Sequence, residues 1–295
     1  MSYTRTIVLT SLAMIAFASN SLLCRVALRQ TNIDAASFTT IRLISGALML
    51  WLIVQMRHGT GSGGGNWLSA FALFTYAASF SFAYVSLPTA TGALLLFGAV
   101  QATMIGYGIW TGERLLRLQP VGLVLALAGL VGLLLPGISA PPLSGSILML
   151  GAGVAWGVYS LRGKGAGDPA RVTAGNFMRA VPIAGAMSVL MFSGTTLDHT
   201  GSWYAVSSGA LASGIGYAIW YTALPALKAV NAATVQLCVP VIAGLGGVAF
   251  LGEPITLRLA FASVAILGGI AMVIVPSKGS GTTHSISRRS TRKEI

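Results

Sequence analysis

Apolar residues in this chain come in long runs, near 6–28, 35–55, 66–86, 89–111, 118–136, 145–162, 173–193, 202–224, 229–251 and 256–276. Most of the ten reach the roughly 20 residues that carry an α-helix across a hydrocarbon core about 30 Å thick. They predict ten membrane-spanning helices. A membrane β-barrel would instead show segments of about ten residues alternating apolar and polar, and the chain has none.

The runs repeat. Tyr84 to Glu113 reads YVSLPTATGALLLFGAVQATMIGYGIWTGE, and Tyr221 to Glu253 reads YTALPALKAVNAATVQLCVPVIAGLGGVAFLGE. Both open on tyrosine and a Leu-Pro turn and close on Gly-Glu. Beyond them Gly129 answers Gly269 and Pro136 answers Pro276; before them Ala16-Phe17 answers Ala155-Trp156, Arg25 answers Lys164, and Arg42 answers Arg179. One five-helix unit, 6–136, is thus written a second time over 145–276, followed by a basic tail, 277–295. An odd number of spans per unit makes the second unit enter the membrane from the opposite face. The expected architecture is all-α, two inverted five-helix repeats around a shared cavity near the midplane, the plan by which secondary transporters alternate access.

Composition agrees: 55% of residues are hydrophobic, 8% are charged, and mean hydropathy is +0.80. A soluble protein of this length needs more polar surface. The net charge of +12 would suggest nucleic acid on a soluble chain; here its placement speaks of topology. With the N-terminus in the cytoplasm, Arg5, Arg57, Arg114, Arg117, Arg162, Lys164, Arg171, Lys228 and the tail's basic residues lie inside, against Arg25, Arg29 and Arg258 outside. That satisfies the positive-inside rule and puts both termini in the cytoplasm. The N-terminus imitates a secretory signal, with Ala16-Phe17-Ala18 as a cleavage site, but cleavage would deprive the first repeat of a helix, so retention is expected. Cys24 and Cys238, far apart in the repeat, offer no disulfide framework and no zinc site.

Polar and aromatic residues at membrane depth are the candidate chemistry. Phe17, Asn20 and Ser21 share a face of the first helix, and Trp156, Tyr159 and Ser160 share the matching face of the sixth. Tyr76, Phe80 and Tyr84 form a stripe on the third helix, with Tyr217, Trp220 and Tyr221 on the eighth. Tyr84 and Tyr221, near helix ends, fit an interfacial aromatic belt. Gln101 and Gln236 stand as hydrogen-bonding groups in the small-residue walls of the fourth and ninth helices, and Pro240 should kink the ninth; the fourth has Val100 at that place. Arg42 and Arg179 lie inside the second and seventh helices, where each arginine either snorkels or caps a neighbouring helix, or anchors a substrate carboxylate through its bidentate fork. Glu113 and Glu253 end helices against the dipole and need cationic partners; Arg114, Arg117 and Arg258 are close in sequence. The fifth and tenth helices, almost wholly aliphatic, read as scaffold or a dimer surface.

The remaining acids, Asp34, Asp168, Asp198 and Glu294, and the histidines, His58, His199 and His284, fall at helix ends, loops or the tail. Proton relays and sodium sites place such groups at membrane depth. There is no phosphate-binding loop for ATP, no nucleophile with a base and no cluster of metal ligands. The pattern excludes an enzyme and calls for no cofactor.

Ten spans in two inverted units, Ala-Phe and Ala-Trp in helices 1 and 6, arginine in helices 2 and 7, and Gly-Glu closing helices 4 and 9 resemble the drug/metabolite transporter superfamily, EamA type. More narrowly, the chain resembles the YddG-type exporters of aromatic amino acids in the bacterial inner membrane. The resemblance implies a substrate-binding cavity drawing on Phe17, Asn20, Phe80, Gln101, Trp156, Tyr159, Tyr217, Trp220 and Gln236, and their places in the chain make Pro240, Arg42, Arg179, Glu113 and Glu253 gating or structural residues. It implies a small-molecule substrate, a lipid bilayer as surroundings, no nucleic acid, and a monomer or weak homodimer. Two other readings stay open: export of a nucleobase, sugar derivative or cation, and a membrane receptor or subunit that moves nothing.

Overall fold

The computed structural model describes residues 2–58, 64–112, 118–137, 140–163, 168–223, 226–227 and 235–274. Glu113, Lys164 and the basic tail lie outside the described residues. Among the described residues all regular structure is helical. In chain order the helices are α1 (Tyr3–Gln30), α2 (Ala35–His58), α3 (Trp67–Tyr84), α4 (Thr89–Trp110), α5 (Gln119–Leu134), α6 (Leu143–Gly163), α7 (Pro169–Leu190), α8 in three consecutive pieces (His199–Ser207, Ser208–Ile215 and Gly216–Ala223), α9 (Cys238–Leu251) and α10 (Leu257–Ile274). Five, α1, α2, α4, α6 and α10, are long and apolar enough to cross a bilayer; the others are shorter, more polar or interrupted.

The acids that the sequence leaves at helix ends start helices. Asp34 Oδ1 accepts from the backbone N–H of Ala36 and Ser37 at 2.9 Å, Asp168 from Ala170 at 3.0 Å, and Asp198 from Gly201 at 2.6 Å. Each satisfies an otherwise orphaned donor and sits at the positive end of the dipole. Asp34 also reaches across: its Oδ2 accepts from Thr196 N–H, and its own N–H donates to Thr196 O. The α1–α2 turn and the α7–α8 turn are thereby tied together.

Packing repeats as the sequence does. α3 lies on α6, as α8 lies on α1; α4 lies on α6, as α9 lies on α1; α3 meets α7, as α8 meets α2. α2 pairs with α7, and α5 with α10. Exchanging the two halves leaves this set of neighbours unchanged. The close seams use small residues, which let helices approach where lipid provides no hydrophobic drive. A Cβ on Gly122 would stand 2.5 Å from Gly269 O in the α5–α10 seam, and one on Gly153 would stand 2.6 Å from Leu96 O between α6 and α4. The aliphatic α5 and α10 therefore bury their small-residue stripes against each other.

Two helices depart from regularity. The middle piece of α8, Ser208–Ile215, is π-helical, with Ser213 Oγ donating to Ser208 O at 3.0 Å. Pro240 occupies the first turn of α9, just past a break at Leu237. A proline lacks the N–H that would continue the helix backward, so the long ninth run is divided there rather than smoothly bent.

Candidate functional site

Helices α1, α3, α6, α7 and α8 turn aromatic rings toward one another in the bundle interior. Trp156 of α6 is the hub. Its ring stacks on Tyr217 with centroids 5.5 Å apart and planes at 17°, and it also contacts Tyr76 at 4.7 Å and Tyr159 at 5.3 Å. The chain of rings continues from Tyr217 to Phe17 at 5.7 Å and from Phe17 to Trp220 at 6.0 Å. On the other side it runs from Tyr76 to Phe80 at 5.5 Å and from Phe80 to Tyr84 at 4.8 Å. Tilted and edge-on pairs of this kind contribute about 0.5–1.5 kcal/mol each beyond their buried area.

One charge sits among the rings. Arg42 of α2 is 2% exposed, with its guanidinium carbon 4.9 Å from the Phe80 centroid and 5.4 Å from that of Tyr76. Its Nη2 donates to Tyr76 Oη at 3.2 Å. Asn20 Nδ2 donates to the same hydroxyl at 3.3 Å, and Asn20 Oδ1 accepts from Ser208 Oγ, in the π-helical piece, at 2.6 Å. Nε and Nη1 of Arg42 are buried with no hydrogen-bond partner among the described residues. A cation in a bundle interior is costly, and two rings and one phenol return only part of what water would give it.

Residues 143–275 match the EamA-like transporter family. The threonine/homoserine exporter RhtA of Escherichia coli K12 is 30% identical over 223 residues, covering 68% of this chain and 70% of that protein. The chain belongs to the EamA-like transporter family. An uncharacterized protein of Pseudomonas aeruginosa is 56% identical over 277 residues, 93% of this chain and 96% of its own length. A solved crystal structure superposes on this EamA-like transporter with a TM-score of 0.66 at 18% identity, over 92% of this chain and 98% of the other, a likeness of fold.

Within this EamA-like protein the residues expected at the site separate. Phe17, Asn20, Phe80, Trp156, Tyr159, Tyr217 and Trp220 fall into the one cluster just described. Gln101 is buried elsewhere: with Gly98, Ala102 and Ile105 it lines a void of about 20 Å³ on the α4 face turned to α5 and α10. Gln236 stands half-buried beside the break at Leu237. Tyr84 is not in an interfacial belt: it is fully buried, its hydroxyl donating to Thr89 O at 3.3 Å and its ring pressed against Gly92.

The two repeat-related arginines differ. Arg179 Nη1 donates to Gly64 O at 3.0 Å and Gly175 O at 2.9 Å, so it caps backbone carbonyls, whereas among the described residues Arg42 donates to the phenol alone. Glu253 takes a partner other than the expected Arg258. It pairs with Arg25 at 3.1 Å and accepts from Thr89 N–H, at the start of α4, at 2.7 Å. Arg258 instead donates to Leu135 O. Sequence reasoning passed over Phe177, whose ring lies 6.1 Å from Tyr217, and Ser208. The only signal for either is a small or aromatic residue in an apolar run, which every span contains.

Proposed function

We propose that this protein is a secondary exporter of amino acids, aromatic ones favoured, working by alternating access in the bacterial inner membrane with both termini in the cytoplasm. The observation that carries the reading is the ring cluster with its buried Asn20, Tyr76 and Arg42. Rings offer stacking to an apolar or aromatic side chain and a face to an ammonium group, while the amide, phenol and guanidinium offer hydrogen bonds. Membership in a transporter family and likeness to an amino acid exporter support the class. The exchange symmetry of the packing supports two equivalent halves, and the odd number of spans expected in each would make them inverted, with α3, α4, α8 and α9 rocking against the rest. Pro240 and the glycines of α4 and α9 supply compliance.

RhtA, by its name an exporter of threonine and homoserine, favours a second reading in which the side chain is small and hydroxylated and meets the Asn20–Ser208 pair. Proteoliposomes separate the two. Protein-dependent uptake of labelled phenylalanine that unlabelled tryptophan competes supports the first; uptake of threonine that phenylalanine leaves untouched supports the second. No protein-dependent flux across a full amino acid panel overturns both and leaves another metabolite or a non-transporting role.

A further inference from the structure

We infer that Arg42 is the anchor for the substrate's α-carboxylate; the inference rests on the amino acid exporter reading and adds a recognised group to it. Arg42 is the one arginine in the ring cluster, and the guanidiniums around it are otherwise occupied. Arg25 is held by Glu253 and by the carbonyls of Tyr84 and Val85, and Arg179 by two carbonyls. Among the described residues no carboxylate forms an ion pair with Arg42.

The fork geometry says what would fit. A guanidinium carries five N–H bonds along two usable edges, Nε with Nη2 and Nη1 with Nη2, each presenting two parallel donors. Tyr76 takes a single N–H, from Nη2. Whichever of the two Nη2 bonds it takes, the other edge keeps both of its donors. Two parallel donors match the two oxygens of one carboxylate. The Tyr76 hydroxyl, which accepts from both Arg42 and Asn20, fixes the plane of the guanidinium, and the Phe80 ring covers it.

Charge balance narrows the ligand further. A single buried cation neutralises a monoanion; a phosphate dianion would leave a net charge among rings. A zwitterion leaves the net charge of the site as it was, but sets its carboxylate against the guanidinium and its ammonium against ring faces, so that each charge has a partner. A cationic amine without a carboxylate would bring a second positive charge beside the first.

The test compares acids with their amides on the full-length protein. Trp156 stands 4.7 Å from Tyr76, so tryptophan fluorescence of the purified protein reports titration with L-phenylalanine, L-threonine and the two corresponding amides. The expected result is that wild type holds at least one acid about tenfold or more tighter than its amide, because a site built to hydrogen-bond a group rejects the analogue lacking it. Arg42→Gln should lose that affinity and no longer distinguish acid from amide, while Arg42→Lys keeps the charge, loses the fork and falls between. Amides bound as tightly as acids by wild type, an Arg42→Gln protein that still discriminates, or no acid bound at all would each overturn the assignment. Should Arg42→Gln fail to fold, the wild-type comparison decides alone. Flux separates this assignment from the exporter reading: phenylalanine or threonine carried undiminished by Arg42→Gln removes the anchor and leaves the exporter standing. Acid-over-amide discrimination without flux does the reverse.

Discussion

Arg25 and Arg42 are both buried on neighbouring helices, yet one meets a carboxylate and the other a phenol. Arg25 closes a four-helix junction: its Nε donates to Glu253 beyond α9, its Nη1 donates to Tyr84 O and Val85 O after α3, and Glu253 accepts from Thr89 N–H at the head of α4. A carboxylate at an N-terminus is favoured by the dipole, which is how a glutamate that ends α9 in sequence becomes stabilising for α4 in space. Glu253→Gln should therefore cost about 1.5–3 kcal/mol, the worth of hydrogen bonds to a charged group. A thermal unfolding midpoint unchanged from wild type would exclude the junction. Pairing the substitution with Arg25→Gln in a double-mutant cycle should recover part of the loss, since the second change removes the stranded cation. Residue chemistry was legible only in part. That Glu253 needs a cation follows from its place at a helix end, but that the cation lies 228 positions away depends on how α9 lies on α1, which local spacing does not carry. Arg42 and Arg179 look alike in sequence and differ because the Gly64 carbonyl happens to reach only one of them.

At the scale of single helices, length and hydropathy carried most of the information, and irregularity carried the least. Except for the ninth, where α9 begins at Cys238 rather than near 229, the runs located the helices within a few residues, because burial in lipid demands internal hydrogen bonding along the whole span. The π-helical piece of α8 was not legible, since nothing in Ser208–Ile215, small residues with Leu211 and Ile215 among them, distinguishes it from an α-helical stretch. It lies where α2 approaches so closely that a Cβ on Gly209 would run into Arg42 O and Ser45 Oγ. Gly209→Ala should push α8 away from α2, loosen the Ser208–Asn20 bond and destabilise the fold by about 1–3 kcal/mol, the usual cost of overpacking. Its flux should fall more than that of Gly151→Ala, where an added Cβ meets nothing within 4 Å; equal effects would mean the contact is slack. Between elements, the Asp34 clamp gives a pH dependence. Burial raises the Asp34 pKa, but hydrogen bonds from Ser37, Thr196 and Ala36 outweigh it and leave the carboxyl below its ordinary value. The carboxylate's contribution is thus complete above the unfolded value of about 3.9 and drains away as pH falls through the lower folded value. Wild type should exceed Asp34→Asn in melting temperature near neutrality, and the two curves should converge in acid. A constant gap down to the lowest pH measured would show that the charge is not what stabilises the clamp.

The whole molecule poses the question of inversion. Its main helix pairings, α3 and α4 on α6, α8 and α9 on α1, α2 on α7 and α5 on α10, are unchanged when the halves are exchanged, and a two-fold axis of either orientation would preserve them. Five spans per half decide between the two, provided each helix crosses. α2 and α7 occupy equivalent places in the two halves, so their C-terminal ends must emerge on opposite faces if the repeats are inverted. Arg57 closes α2 and is exposed; Ser193 follows α7 and is exposed. The charge bias of the sequence leads us to expect Arg57 in the cytoplasm. Cysteines at Arg57 and Ser193, in a protein whose half-buried Cys238 is replaced by serine, should therefore react from opposite sides with an impermeant thiol reagent. In intact cells the Ser193→Cys protein should label and the Arg57→Cys protein should not; in inside-out vesicles the pattern should reverse. Labelling of both from one side would make the halves parallel, because a helix that ends where its repeat mate ends has entered from the same face. A parallel pair could still pack α5 on α10 and α2 on α7, but it could not interchange the shapes of its two mouths. The rocking of α3, α4, α8 and α9 would then have no symmetric partner state to reach.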